Sequence, residues 1–220
     1  MKVWDWQVAG DFVPKLIDGL LTALLATVLG FAIAVVVGLV FLLWRRSSIR
    51  WVSAVGAFVI EFIRSTPLLV QLFFLFFVLP DLGVTLPALA AGVIGLGLHY
   101  GTYLSEVYRA GIDGVPVGQW EAATALNLSK GSTWTRVILP QAFPRSIPAM
   151  SNYLIALFKD VPQLVAITVA EPFFLARELS AVTFRSTEAI TMAGLAYLVA
   201  ALILGYFGRL VERRYGTVRA

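Results

Sequence analysis

The run LLTALLATVLGFAIAVVVGLVFLLW, residues 20–44, carries no charged side chain and stops at Arg45 and Arg46. A helix needs about 20 mostly apolar residues to cross a hydrocarbon core of roughly 30 Å, so Leu20–Trp44 is long enough to span. Four further apolar regions follow. Val52–Leu79 is interrupted by Glu61, Arg64 and Pro67, and Val84–Tyr103 leads into a polar stretch. Ile147–Val169 has Lys159 and Asp160 embedded in it, and Ile190–Phe207 ends in the basic tail Arg209, Arg213 and Arg214. Composition agrees: 59% of the 220 residues are hydrophobic and 14% charged, against roughly 25% charged in soluble globular proteins, and the mean hydropathy is +0.85. The expected fold is an all-α integral membrane protein with five transmembrane helices, a single domain over residues 16–215.

Several function classes drop out at once. The chain has no cysteine, so thiolate metal sites, disulfides and cysteine nucleophiles are excluded. One histidine, His99, rules out a multi-histidine metal cluster. No Gly-x-x-x-x-Gly-Lys-Ser/Thr phosphate loop is present, and Lys130-Gly131-Ser132-Thr133 lacks the upstream glycine frame. No cofactor is expected on this chain. The net charge of +4 could suggest nucleic acid, but the basic residues are dispersed between apolar runs and fit membrane orientation better. Asp5, Asp11, Lys15 and Asp18 interrupt the place where a signal peptide would hold an uninterrupted apolar core, so the first span is expected to be retained.

Cytoplasmic loops are enriched in Lys and Arg. Arg45, Arg46, Arg50, Arg109, Lys130, Arg136, Arg145, Arg209, Arg213, Arg214 and Arg219 fall on one side of a five-span arrangement. Lys2, Lys15, Arg177 and Arg185 fall on the other. The N-terminus is therefore expected outside, and the C-terminus and the loop Leu104–Arg145 in the cytoplasm. Punctuation within that loop predicts a helix–turn–helix. Pro116 suits a helix start, Glu121, Ala122, Ala123, Ala125 and Leu126 favour helix, and Asn127 tolerates the left-handed turn that ends one. Ser129 can cap a second helix, expected to run until Pro140 obstructs it.

The spacing of this loop carries a resemblance. Glu121-Ala122-Ala123, three residues, Asn127, nine residues, Val137, one residue, Leu139-Pro140 resembles the cytoplasmic coupling loop of type I ATP-binding-cassette (ABC) importer permeases. Asn127 replaces a more usual glycine, and Val137 a frequent isoleucine. Glu61 to Gln71, Tyr103 to Ile112 and Phe158-Lys159-Asp160 resemble segments of the polar amino-acid uptake branch, although Val161-Pro162-Gln163-Leu164 departs from its usual Thr-Ser-Leu. Leu79 to Val84, Gly95 to Tyr100, Asn127-Leu128-Ser129 and Asn152 to Ala156 are similar to ectoine and hydroxyectoine permeases.

The resemblance implies a translocating subunit of the bacterial inner membrane with several partners. These are a dimer of ATPase subunits that hold ATP and Mg, a second permease that is identical or homologous, and an extracytoplasmic solute-binding protein. It also implies that Gly118, Gln119, Glu121, Ala122, Ala123, Leu126, Asn127, Leu128, Leu139 and Pro140 form the ATPase-coupling loop. Glu121 would face polar groups of the ATPase, with Leu126, Leu128 and Trp134 as an apolar anchor. Ala122 and Ala123 read equally as helix packing, and Gly118 and Gln119 as a plain helix start.

Ionisable side chains at membrane depth are costly and tend to face a cavity or a partner. Glu61 and Arg64 share one helical face and can pair. Lys159 and Asp160 point in different directions. All four are candidates for the substrate path, Asp160 for the cationic end of a zwitterion, and all four read equally as a packing network. Pro67 is expected to break or kink the second span, with Ser65 and Thr66 satisfying freed carbonyls. His99 reads as packed, and Trp4, Trp6, Trp44 and Trp51 as interface anchors. The competing class is an ion-gradient-driven secondary transporter using Glu61, Asp160 and His99, which would ordinarily show more spans and an internal repeat.

Overall fold

The computed structural model describes residues 4–215; Lys2 and Arg219, counted in the charge asymmetry, lie outside the described residues. The described residues are nearly all helical. Helix α1 covers Trp6–Arg45, α2 Arg50–Ser65 and α3 Leu68–Phe73, which continues as a π and then a 3₁₀ segment to Leu82. Helix α4 covers Ala88–Asp113, α5 Val117–Ala125 and the single turn α6 Lys130–Ser132. A π segment, Thr133–Ile138, joins α6 to α7, Leu139–Asp160, which tightens into 3₁₀ turns over Val161–Ile167. Helices α8, Pro172–Thr183, and α9, Ser186–Tyr215, are the last helices of the described residues.

Two helices, α1 and α9, are by themselves long and apolar enough to cross a bilayer. The count rises to four if two bent pairs are each one span: α2 with α3, bent by 100°, and the Lys130–Ile167 helix with α8, bent by 44°. Helix α4 is a 26-residue helix, long enough at 1.5 Å per residue. His99, Tyr100, Thr102, Tyr103 and Ser105 dilute its apolar character, and most of it is buried.

Burial of α4 rests on small residues. Ala26, Gly30, Ala34 and Gly38 recur every fourth position on α1 and are all buried. They face Gly97 and Gly101, four apart on α4. A Cβ added at Gly38 would sit 2.9 Å from Leu104 Cβ, and one at Gly101 would sit 2.7 Å from Val37 Cγ1. Lipid tails are as apolar as leucine, so spanning helices associate through close van der Waals packing, which such stripes permit.

Three expectations are corrected. Helix α1 starts fourteen residues' length before the apolar run, capped by Asp5, whose carboxylate accepts from the Gln7 N–H at 2.9 Å. Phe12 and Leu16 on this extension bury against Ala176, Ala189 and Ala193 of α8 and α9, which is why it is helical. The polar loop does not begin at Leu104. Leu104, Val107, Tyr108 and Ile112 are buried at helical spacing, and they carry α4 on to Asp113. Pro140 does not stop the second loop helix. It lies in the first turn of α7, next to the π segment, and a wider hydrogen-bond register can accommodate the donor that proline lacks.

Two buried carboxylates organise the end that carries α8. Glu171 is fully buried and caps α8, accepting from Phe173 N–H at 2.8 Å, Phe174 N–H at 2.6 Å and the Tyr197 hydroxyl. Glu188 pairs with Arg185 and accepts the Asp5 N–H at 2.8 Å, tying the start of α1 to α9.

If the α1–α4 seam holds the fold, Gly101→Ala should cost about 1–3 kcal/mol through overpacking. Gly194→Ala, where an added Cβ meets nothing within 4 Å, should be neutral or stabilising by up to about 1 kcal/mol from helix propensity. Thermal unfolding of the detergent-solubilised chain checks the opposite signs.

Candidate functional site

Two regions stand out, one at the end of α4 and one around the break between α2 and α3. At the first, Pro116 precedes α5, and Asn127 ends it with φ of 51°. Asn127 N–H donates to Thr124 O at 2.9 Å, and Leu128 N–H to Ala123 O at 3.0 Å. This paired closure is the Schellman arrangement, with asparagine in the left-handed position where glycine is commonest. Ser129 then caps the next helix, its hydroxyl accepting from Ser132 N–H at 3.3 Å.

The expected coupling residues divide by exposure. Gly118, Gln119, Glu121, Ala122, Leu126, Leu139 and Pro140 are exposed, whereas Ala123 is 2% exposed and packs inward. Leu126 is 73% exposed and Val117 70%, so the α5 tip offers bare apolar side chains. Gln141 Nε2 donates to Gln119 Oε1 at 3.1 Å, joining α5 to α7. Leu128 and Trp134 are half-buried. Trp134 meets Trp120 edge to face at 5.3 Å and lies beneath Arg46, so it is an internal strut and not a bare anchor.

At the second region, Thr66 is extended, as a residue before proline must be. The carbonyls freed by the break are capped chiefly from elsewhere. Gln71 Nε2 donates to Ile63 O at 2.6 Å and Thr66 O at 3.0 Å, and lies 3.1 Å from His99 Nδ1. Thr66 Oγ1 donates to Phe62 O at 2.7 Å, as expected, but Ser65 Oγ donates to the Glu61 carboxylate at 3.2 Å and caps no carbonyl.

The break opens a polar cavity of about 390 Å³ lined by Arg64, Ser65, His99, Tyr103, Asp160 and Gln163, among others. A cavity of about 450 Å³ between α7 and α9 is apolar, so the polar one is the better candidate for a charged solute. Asp160 is held in place there. Its Oδ2 accepts from the Tyr100 hydroxyl at 2.7 Å and its Oδ1 from Gln163 Nε2 at 3.1 Å. Tyr103 packs on Tyr153 with ring centroids 5.3 Å apart, and His99 lies 5.3 Å from Tyr103.

Of the four expected path residues, Arg64 and Asp160 line this cavity. Glu61 is 59% exposed and forms the expected ion pair with Arg64. Lys159 is exposed and does not line the cavity. Sequence reasoning missed Tyr100, Tyr103, Tyr153, Gln71 and Gln163. The signal was Tyr100-x-x-Tyr103, a polar aromatic pair at helical spacing in an apolar run.

Comparison with known proteins places this architecture. Residues 27–217 match the family of inner-membrane components of binding-protein-dependent transport systems. The chain belongs to that family, as a membrane-embedded permease subunit. It is 46% identical over 202 residues to the probable amino-acid ABC transporter permease y4tG of Sinorhizobium fredii, covering 92% of this chain and 87% of that one. It is 38% identical to the L-cystine transport system permease TcyB of Bacillus subtilis, covering 96% and 90%. A solved amino-acid ABC transporter crystallised with histidines superposes with a TM-score of 0.90 at 34% identity, over 96% of this chain and 99% of that one.

The left-handed turn is testable by itself. Asn127→Gly should leave thermal stability unchanged or slightly raised, and Asn127→Val should cost about 1–2 kcal/mol, with faster hydrogen exchange at the Leu128 amide.

Proposed function

We propose that this chain is the translocating subunit of an ATP-driven, binding-protein-dependent importer for amino acids or amino-acid-like compatible solutes. The observation that carries this reading is the exposed α5 tip, closed by the Asn127 turn and set beside the end of the buried helix α4. A bare apolar knob flanked by Glu121 suits docking to a soluble subunit, and no phosphate loop is present to bind nucleotide on this chain. Residues 16–215 are the transporter domain. Helix α4 is the remaining crossing, which makes five with α1, α9 and the two bent pairs. The N-terminus then lies outside and the α5 tip in the cytoplasm. The partners are an ATPase dimer, a second permease and an extracytoplasmic binding protein.

Within this reading the polar cavity handles the solute. Arg64 and Asp160 face it from different helices, so a zwitterion can present its carboxylate to one and its cationic end to the other. Tyr103, which lines the cavity, offers an aromatic ring to a cation. Ectoine or hydroxyectoine, whose cation is delocalised, is the particular cargo proposed, in keeping with the four sequence stretches quoted above.

Uptake of labelled cystine, histidine, ectoine and hydroxyectoine into liposomes holding the assembled transporter tests the cargo and the energy source together. Uptake should require ATP and the ATPase subunit, and should be competed best by ectoines; uptake that follows a proton or sodium gradient would sink the importer reading. Asp160→Asn should lower uptake about tenfold or more, the scale of a lost charge-assisted contact, with the protein level unchanged. The chain lacks cysteine, so a single Leu126→Cys gives a clean topology probe. It should react with an impermeant maleimide in inside-out vesicles from cells that lack the ATPase subunit, and be protected in whole cells.

A further inference from the structure

Five charged side chains alternate in sign where α1 and α4 end beside the α5 tip. Arg45 pairs with Glu106. Glu106 Oε2 also accepts from Arg109 Nε at 2.9 Å and Nη2 at 2.7 Å. Asp113 completes the series, its Oδ2 lying 3.2 Å from Arg109 Nη1 and its Oδ1 3.2 Å from Arg46 Nη1. The chain of charges ends on an aromatic ring. The Arg46 guanidinium carbon stands 5.7 Å from the centroid of Trp134, and Trp134 meets Trp120 edge to face. Trp120 is on α5, between Gln119 and Glu121. One unbroken series of contacts therefore joins the ends of α1 and α4 to the exposed tip.

Stability does not account for this arrangement. The Glu106 side chain is 22% exposed, but those of Arg46 and Asp113, the pair that ends the series, are 37% and 50% exposed, and an ion pair of that kind contributes little to folding. The α1–α4 seam already fixes these helices. What the contacts supply is direction. Helix α5 is joined to α4 by the short link of residues 114–116, whose Val115 is buried, and to α7 through the α6–π connection and the Gln119–Gln141 bond. Arg46 over Trp134 is a further attachment, which ties the π segment to the end of α1.

We propose that Arg46 is a positioning residue for energy coupling. Held by Asp113, its guanidinium carries displacement of the α5 tip, through Trp134, to the ends of α1 and α4. This rests on the importer reading. With the attachment cut, the end of α1 no longer follows the π segment and the α5 tip, and nucleotide hydrolysis moves less solute.

The test is the amount of solute taken up per ATP hydrolysed by the assembled transporter in liposomes, with whichever of histidine, cystine or ectoine the unmodified complex moves fastest. Arg46→Gln and Trp134→Leu should each lower this ratio about fivefold while the ATPase still co-purifies in normal amount. The double variant should be no worse than either single one, because both remove the same contact. Arg46→Lys, which keeps a cation over the ring, should retain at least about half the ratio. ATP-driven uptake with an unchanged ratio in either single variant overturns the proposal, as does a double variant whose losses multiply. Should Arg46→Gln not assemble, Trp134→Leu decides alone on the same two outcomes. Uptake by the unmodified complex that ignores ATP overturns the importer reading, and this proposal with it.

Discussion

Helix α1 lies on α4 with glycine meeting a branched side chain at successive crossing points, and the other features of the molecule are placed by that contact. Gly30 and Gly38 receive Leu96 and Leu104; Gly97 and Gly101 receive Ile33 and Val37. Neither helix has room for one more methyl group along this line. In lipid there is little hydrophobic gain from pressing apolar helices together, so the close approach of backbones and the dispersion contacts it allows must supply the association. The seam fixes α4 in the centre. His99 and Tyr103 at its middle then line the polar cavity, Tyr100 reaches Asp160, and Glu106, Arg109 and Asp113 at its end pair with one another and with Arg45 and Arg46 at the end of α1.

The cavity exists because the helix opposite α4 is broken. A proline inside a spanning helix leaves carbonyls without donors, and in hydrocarbon each would cost several kcal/mol. The structure meets that demand with two side chains: the Gln71 amide reaches back across the bend to Ile63 and Thr66, and the Thr66 hydroxyl donates to Phe62 O. Non-helical backbone at membrane depth is tolerated where it borders a polar cavity. The same bend that exposes Pro67 also puts Arg64 and Asp160 in the lining of one cavity. Break, cavity and charged lining are thus one feature seen at three scales, and the Asp160 carboxylate is oriented by Tyr100 and Gln163 without a basic side chain spent on it.

Much of this was legible in the chain, and what was not has physical reasons. The apolar runs showed a membrane protein because hydropathy integrates over many residues. The turn at Asn127 and the cap at Ser129 were legible because local conformation decides them. Helix limits were not. The start of α1 and the end of α4 are set by the burial of Phe12, Leu16, Leu104 and Ile112 against partners distant in sequence. Pro140 reads as a stop because proline lacks a donor, but a register change upstream removes the conflict. Asp160 and Arg64 were found as charges out of place. The tyrosines beside them were passed over, since aromatic residues in an apolar run read as bulk until their hydroxyls are seen. The small-residue stripe of Ala26, Gly30, Ala34 and Gly38 was present in the sequence throughout, at the four-residue spacing that marks a packing face, and was not used.

The two kinds of polar contact in this protein serve different ends, and burial separates them. Glu171 is completely enclosed and accepts three hydrogen bonds. Removing any donor would strand part of a carboxylate in a low-dielectric setting, a loss of several kcal/mol. Such a group cannot change partners during a working cycle, and it stands at the end of the molecule away from α5. The charges around Arg109 are half-exposed, share acceptors and are each worth little. Asp113 already divides its two oxygens between Arg46 and Arg109. Pairs that are individually weak and collectively continuous can shift together without any one carboxylate being desolvated alone. A subunit that must pass movement from a soluble surface into packed helices needs rigid attachment at one end and exchangeable attachment at the other. The distribution of buried and exposed charge along α1, α4 and α9 has that polarity.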